Sequence, residues 1–193
     1  QPAAITFARF LRRLFGAGKV SELTRLSVTE MAEQVRRKRV SPVELVEAHL
    51  ARIEHLNPKL NAFISLDAER ALASARQAEG AVTRGDELGP LHGVPISIKS
   101  SVEVAGFSYE VGSKLRAGCK GTTDAPLVKR LKAAGAIVLG TTNTPEILMA
   151  WETDNLLYGR TNSPWDLART PGGSSGGEAA AIASGCSAAG IGS

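Results

Sequence analysis

Residues 171–183 have the sequence PGGSSGGEAAAIA, in which four glycines surround Ser174 and Ser175 and an alanine-rich segment follows. Glycine reaches backbone conformations that a Cβ forbids, and it lets the backbone approach a ligand closely. Alanine favours a helix, and an acidic residue such as Glu178 suits the first turn. We therefore predict that the two serine hydroxyls lie in an ordered loop at the start of a helix, where they form a functional site.

Three other interpretations of this loop are weaker. Gly/Ser-rich segments are often flexible linkers, but a linker is seldom followed directly by a helix-forming segment. The loop matches neither G-x-x-x-x-G-K-[ST] nor G-x-G-x-x-G, which argues against a phosphate-binding loop. Both serines satisfy G-x-S-x-G, the nucleophile elbow of α/β-hydrolases. That elbow follows an apolar strand, whereas the preceding residues 166–171, DLARTP, are predicted to form a loop.

Length and composition indicate an α/β protein with many turns. The chain has 193 residues, 43% of them hydrophobic, with 20 glycines and only 5% aromatic residues. This length allows one or two domains with a substantial core. The chain begins with Gln1 and ends in the apolar, glycine-containing segment 190–193, so we expect it to be part of a longer protein.

Positive charge is concentrated at the N-terminus. The first 40 residues hold nine Lys or Arg and three Glu, whereas the net charge of the whole chain is +4. The rest of the chain is therefore slightly acidic, and we expect no nucleic-acid partner. Residues 1–26 are predicted to be a basic amphipathic extension, with an apolar stripe formed by Phe7, Phe10, Leu11 and Leu14.

Two interpretations of this apolar stripe are open. The stripe suits packing against the same domain or against a twin subunit, which would give a homodimer. It also suits contact with a membrane surface, and so a peripheral membrane association. Packing is favoured, because one amphipathic stretch is weak evidence for membrane binding.

Cysteine and histidine are too sparse to indicate a disulfide framework or a metal site. Cys119 and Cys186 are isolated, which favours a reducing, cytoplasmic setting. The three histidines, His49, His55 and His92, form no H-x-x-x-H pair, so no metal site is predicted. The sequence has no run of 18 or more apolar residues, so we expect no membrane-spanning helix.

Alternating helix and strand signals along the chain predict α/β layers. Ser-x-x-Glu capping boxes, proline at a first helical position and glycine after a last turn mark the helix ends. The predicted helices run from Ser27 to about Arg37, from Ser41 to Asn57-Pro58, from Asp67 to about Arg84, and from a cap at Asp124 to about Ala134. The predicted strands are residues 62–66, 93–99 and 136–140.

Lys99 follows a mostly apolar strand. If that strand is central, desolvation lowers the pKa of the lysine and favours the neutral amine. A neutral lysine is a competent general base, and Ser–Lys pairs are an established variant of the catalytic triad. The plainer interpretation is a lysine at a strand end with its ammonium group in water. Lys99 taken alone favours that plainer interpretation.

Lys99 and the Gly/Ser loop together closely resemble the amidase signature family, which includes fatty acid amide hydrolases, bacterial amidases and the A-type subunits of glutamyl-tRNA amidotransferases. The lysine follows Gly-Val-Pro, and Ser174 lies 75 residues later. The resemblance extends from about Leu26 to Ser193. Further segments that carry it are NPKLNA at residues 57–62, GTTN at 140–143 and YGRTNSPWD at 158–166.

The resemblance implies a fold and a set of site residues. The implied fold is a mixed, mostly parallel sheet with helices on both faces, of which residues 27–193 are the N-terminal part. Lys99 matches the lysine that serves as base and then acid. Ser174 matches the bridging serine, which the family holds through a cis peptide bond. Ser175 is expected to steady the loop, and Leu148 lies where the family contacts the substrate through its backbone.

The resemblance also implies a small-molecule amide substrate, an acyl-enzyme intermediate and no cofactor. The attacking serine of the family would fall about five residues beyond Ser193, so we expect residues 1–193 alone to be inert. The alternatives are an A-type subunit of a glutamyl-tRNA amidotransferase and a non-catalytic ligand-binding relative. Glu178 stands where many relatives have serine, which, with the N-terminal extension, favours the branches that resemble fatty acid amide hydrolase and the amidases.

Overall fold

The structure is a computed structural model that describes residues 22–193. After two initial helices, strands and helices alternate along these residues, as the sequence predicts. Their bounds are α1 Val28–Arg36, α2 Pro42–Leu60, β1 Phe63–Leu66, α3 Ala68–Arg84, β2 Pro95–Lys99, α4 Pro126–Ala133, β3 Ile137–Thr142, α5 Gly176–Ala183 and β4 Ala189–Ile191.

The four strands of this part of the chain form one sheet in the order β1-β3-β2-β4. Strand β2 is parallel to both of its neighbours, β3 and β4, whereas β1 is antiparallel to β3. The expected mixed, mostly parallel sheet is therefore confirmed. Because β2, β3 and β4 run the same way, their carboxyl ends meet at one edge, which is where open α/β sheets bind ligands.

Helices cover both faces of the sheet. Side chains alternate between the two faces of a strand, so each face presents its own apolar side chains to the helices that pack on it. Ile96 and Ile98 of β2 pack with Val35 of α1 in one buried cluster, to which α4 also contributes. Ile137 and Leu139 of β3 belong to a second cluster, formed with residues of α2, α3 and α5. The sheet thus separates two apolar layers, and α5 lies in the second one.

The local capping signals are confirmed. The amide of Ser27 donates to the Glu30 carboxylate over 2.7 Å, and the Glu30 amide donates back to the Ser27 hydroxyl. Ser41 opens α2 with the same capping box, and Pro42 occupies its first position. Each cap provides partners for backbone groups that the first helical turn leaves unpaired.

The prediction that α2 ends at Asn57-Pro58 is wrong, because the helix continues to Leu60. Proline removes a single hydrogen bond in the last turn, and the Asn57 side chain stabilises the exit from the helix. Its carbonyl oxygen accepts from the amides of Ala62 and Phe63, and its amide group donates to the Phe63 carbonyl. The last turn is thereby fastened to β1.

The prediction that Asp124 caps α4 is also wrong. Helix α4 begins at Pro126, and its N-cap is Ala125, without a side-chain capping bond. Proline suits the first helical position, since its φ is already helical and its missing N–H would be unpaired there anyway. Asp124 instead accepts from the Ala105 amide over 3.0 Å and pairs with Lys132 at 2.6 Å.

The apolar stripe between Phe7 and Leu14 lies outside the described residues 22–193. The interpretations of residues 1–26 as a separate extension, a homodimer contact or a membrane contact therefore stay predictions. Every helix in the described part of the chain is too short or too polar to cross a membrane.

Candidate active site

Strand β2 carries Lys99 into the interior at the carboxyl edge of the sheet. All five residues of the strand are buried, and Lys99 is fully enclosed. Its Nζ atom lies 2.8 Å from Ser174 Oγ and 2.9 Å from Ser175 Oγ. It also lies 2.9 Å from the hydroxyl and 3.2 Å from the carbonyl oxygen of Ser193. Sequence-predicted Lys99, Ser174 and Ser175 thus come together, and Ser193 joins them.

The surroundings of Lys99 favour its neutral form. Burial lowers the pKa of Lys99 below its usual value, while the carboxylate of Glu178 acts in the opposite direction and raises it. Burial is the larger of the two effects. Hydroxyl groups can donate or accept, so the serines around Nζ can partner either an ammonium or an amine. The site can therefore exchange a proton between nitrogen and oxygen.

Close packing explains why the serine loop is rich in glycine. A Cβ at Gly173 would lie 2.8–2.9 Å from backbone atoms of Glu152, and one at Gly177 would lie 2.5 Å from backbone atoms of Asn143. The loop is thus pressed against two neighbouring backbone segments that leave no room for a side chain. The peptide bond between Gly173 and Ser174 is cis, as the family resemblance implies.

Thr153 fastens the loop to the rest of the molecule. Its hydroxyl donates to the Gly172 carbonyl over 2.8 Å and accepts from the Gly176 amide over 3.0 Å. These two bonds bracket the serines, and Thr153 itself is fully buried. Ser175 then forms the N-cap of α5, so the helix starts directly after the site.

Leu148 borders a cavity of about 420 Å³ that opens above Ser174. The lining also includes Gly173, Ser193 and residues 149–151. Ile147 and Leu148 have positive φ angles of 46° and 63°, which non-glycine residues seldom adopt. Strained backbone of this kind is enriched at active sites and at segments that clamp ligands. The segment predicted to contact substrate therefore lines the same cavity as the predicted bridging serine.

Sequence reasoning missed the setting of Glu178, which it treated as a residue suited to the first turn of a helix. Its carboxylate is buried, accepts from Ser97 Oγ over 2.6 Å, and accepts from Thr142 Oγ1 over 3.1 Å. Burial raises the pKa of Glu178 to about 7, against the effect of these two hydroxyls and of Lys99. The sequence did contain an indication of this burial. Glu178 lies among alanines and glycines, in a helix without other polar side chains that would mark a solvent-facing side.

No metal-binding group of three or more His, Cys, Asp or Glu occurs among residues 22–193. The chemistry of the donor atoms at the site agrees, because Lys99 and serine hydroxyls are poor ligands for zinc. The arrangement suits proton transfer between oxygen and nitrogen next to a cavity that can hold a small molecule.

Comparison with known proteins supports the resemblance to amidases along most of the chain. The family model described as Amidase matches residues 44–193. The A-type subunit of the glutamyl-tRNA(Gln) amidotransferase from Streptomyces avermitilis is 45% identical over 162 residues, which are 84% of this chain and 32% of that protein.

Solved structures agree with the sequence matches. A fatty acid amide hydrolase superposes with a TM-score of 0.86 and 29% identity, over 90% of this chain and 31% of that one. A bacterial aryl acylamidase of the amidase signature family superposes with a TM-score of 0.80 and 31% identity, over 84% of this chain and 34% of that one. The chain spans about a third of the length of these relatives, and it belongs to the amidase signature family.

Proposed function

We propose that the whole protein hydrolyses a carboxylic amide to an acid and ammonia or an amine, through an acyl-enzyme intermediate. The observation that carries this proposal is the contact of 2.8 Å between Lys99 Nζ and Ser174 Oγ. A buried amine that touches a serine beside a cavity is equipped to move protons to and from a substrate. The family to which the chain belongs supports the reaction class.

The proposed reaction has two stages. A serine hydroxyl attacks the amide carbonyl while its proton passes to Ser174 Oγ, and Ser174 gives its own proton to Lys99 Nζ. The C–N bond then breaks, and the proton returns along the same path to the leaving nitrogen. Water attacks the resulting ester in the second stage and gives its proton through Ser174 to Lys99. The C–O bond to the attacking serine then breaks, and Lys99 returns the proton through Ser174 to the serine oxygen. The products are the acid and the free serine.

The attacking serine is proposed to come from chain that follows Ser193. Two contacts support this placement. The Ser193 amide donates to Ser175 Oγ over 3.0 Å, and the Ser193 carbonyl accepts from the same hydroxyl over 2.9 Å. Residue 193 is therefore fixed at the cavity, and residues after it start within reach of Ser174. Glycine amides next to the nucleophile would supply the oxyanion hole.

A serine-directed reagent tests this proposal. The whole protein is treated with a phosphonofluoridate, the labelled residue is identified by mass spectrometry, and release of ammonia or amine from a panel of amides is measured. We expect a single labelled serine after residue 193 and measurable amide turnover. Label on Ser193, or turnover by residues 1–193 alone, would contradict the placement of the nucleophile. Turnover unaffected by Ser174→Ala would contradict the relay.

A second candidate function is supported by the named relatives. The A-type subunit of a glutamyl-tRNA(Gln) amidotransferase is 45% identical to this chain, so the protein is a candidate for the same role. In that case the ammonia released from the amide passes to a partner-bound aminoacyl-tRNA. Co-purification with two partner subunits, together with amide hydrolysis that depends on them, would favour this role. Amide turnover by the isolated protein would favour the first proposal.

A further inference from the structure

Helix α5 places two kinds of polar group over the same strand. Ser174 and Ser175, just before the helix, contact Lys99 of β2, and Glu178, in its first turn, contacts Ser97 of β2. Residues 97 and 99 are two apart on a strand, so their side chains point to the same face. The serines and the carboxylate therefore meet neighbouring positions on one face of the sheet.

The contacts of Glu178 place its carboxylate beside the stem of Lys99. Thr142 pairs with Lys99 across the parallel strands β2 and β3, and the Thr142 hydroxyl donates to one carboxylate oxygen. Ser97 donates to the other oxygen. The Glu178 carboxylate is thus held by Thr142, which is paired with Lys99 across the strands, and by Ser97, which lies two residues before Lys99.

Strand β4 is shaped to receive this carboxylate. A Cβ at Gly190 would lie 1.9 Å from Glu178 Oε2, so only glycine leaves space for the carboxylate at this position. Gly190 pairs with Ser97, which places the carboxylate directly over the β2–β4 ladder. Three strands therefore cooperate in burying one acidic group.

Few other charges lie nearby. Strands β2, β3 and β4 and helix α5 carry two ionisable side chains between them, Lys99 and Glu178. On α2, which contributes to the same apolar cluster as α5, the buried titratable group is His49, and its charged neighbour is Arg52. Lys99 and Glu178 each experience the charge of the other. We expect these two buried groups to titrate as a coupled pair.

We propose that Glu178 is a positioning residue that sets the charge of Lys99, its carboxylate being held by Ser97 and Thr142 beside the lysine stem. An ionised Glu178 favours the ammonium form of Lys99 against the effect of burial, and a protonated Glu178 removes that opposition and favours the neutral base. This inference rests on the proposed function, in which the neutral amine of Lys99 accepts the proton from Ser174.

The isosteric substitution Glu178→Gln in the whole protein tests the inference. The wild-type acid limb of kcat/KM against pH is expected to be broader than a single ionisation, because two coupled groups share it. Removing the negative charge leaves one ionisation and moves the midpoint of the limb to lower pH, by on the order of one pH unit. Thr142→Val weakens the hold on the carboxylate and is expected to give a smaller shift in the same direction.

A second readout is independent of turnover. Lysine labelled with ¹³C at Cε is titrated by NMR, and the Lys99 signal is assigned by its loss in Lys99→Arg. The midpoint for Lys99 is expected to fall in Glu178→Gln. If amides are not hydrolysed but this midpoint falls, the proposed function fails and the inference stands. Identical midpoints and limb widths in wild type and Glu178→Gln would overturn it, even if the variant is less active, since that result indicates a merely structural role.

Discussion

Ser174 and Ser175 are adjacent in sequence but have different surroundings at the site. Both hydroxyls contact Lys99 Nζ. Ser175 Oγ also bonds the amide and the carbonyl of Ser193, so its hydrogen-bonding capacity is used within the protein. Ser174 lines the cavity and makes no comparable backbone bond within residues 22–193, which leaves it able to exchange a proton with a group in the cavity.

This difference predicts different outcomes for two alanine substitutions in the whole protein. Ser174→Ala should lower kcat/KM by at least about 100-fold, because it removes the proton relay, while leaving the melting temperature nearly unchanged. Ser175→Ala should lower the melting temperature modestly, because it removes the two hydrogen bonds that join the start of α5 to Ser193. Kinetics and calorimetry on both variants check this. An equal loss of activity in both, with no loss of stability in either, would contradict the division of roles.

At the scale of elements, the position of the first turn of α5 is set by its close contact with a neighbouring backbone segment. Gly177 lies in its first turn, against backbone atoms of Asn143, the residue that follows β3. Such contacts cannot relax by rotating a side chain, so the helix start and the strand end must move together. The position of Ser174 and Ser175 above Lys99 therefore follows from how closely α5 approaches β3.

Gly177→Ala tests this close approach. We expect it to destabilise the protein by about 1–3 kcal/mol, as overpacking usually does, and to reduce turnover as well. Gly80→Ala is the matched control, because Gly80 lies within α3 and its added Cβ would meet only the end of the Arg84 side chain, at 3.2 Å. That change should stabilise by about 0.5–1 kcal/mol. Denaturant unfolding of both variants measures their unfolding free energies. Equal changes in the two variants would contradict the close packing of Gly177.

The elements also show what the sequence could predict. Capping boxes at Ser27 and Ser41 are local, so the first turns of α1 and α2 were predicted correctly. Asp124 has the chemistry of a cap, but it is engaged by Lys132 and the Ala105 amide, which the sequence does not place nearby. The setting of Glu178 was missed for the same reason, since Ser97 lies 81 residues away along the chain.

At the scale of the molecule, the sheet is what assembles the site. Lys99 ends β2, Thr142 ends β3, and Ser193 follows β4 closely, so three parallel strands deliver their ends to one edge. Periodicity predicted buried strands but not their order, because strand order depends on tertiary packing. The family resemblance, based on Lys99 and the serine loop, predicted a mixed, mostly parallel sheet, and the structure confirms it.

Buried His49 predicts how stability depends on pH. Burial lowers the pKa of His49 to about 4, from 6.5 for an ordinary histidine. The unfolded chain therefore binds a proton between these values and the folded one does not, so the contribution is fully present above pH 6.5 and is lost as pH falls towards 4. Its size is about 3 kcal/mol. The raised pKa of Glu178, about 7, has the opposite effect, because its contribution to the unfolding free energy decreases as pH rises towards 7.

A comparison with His49→Gln isolates this contribution, because all other groups are common to both proteins. The unfolding free energy of wild type minus that of the variant should fall by about 3 kcal/mol between pH 7 and pH 4. Denaturant unfolding at several pH values measures the difference. A difference that does not change with pH would show that His49 is not buried in its neutral form.

The role of Lys99 as the base is the centre of this account, and the pH profile of kcat/KM in the whole protein tests it most directly. Lys99→Ala should lower kcat/KM by orders of magnitude, most strongly at low pH, where hydroxide cannot replace the missing base. Lys99→Arg should be as impaired, because arginine keeps the charge and the donors but cannot lose its proton. Wild-type rates in Lys99→Ala, or substantial activity in Lys99→Arg, would contradict the assignment of Lys99 as the base.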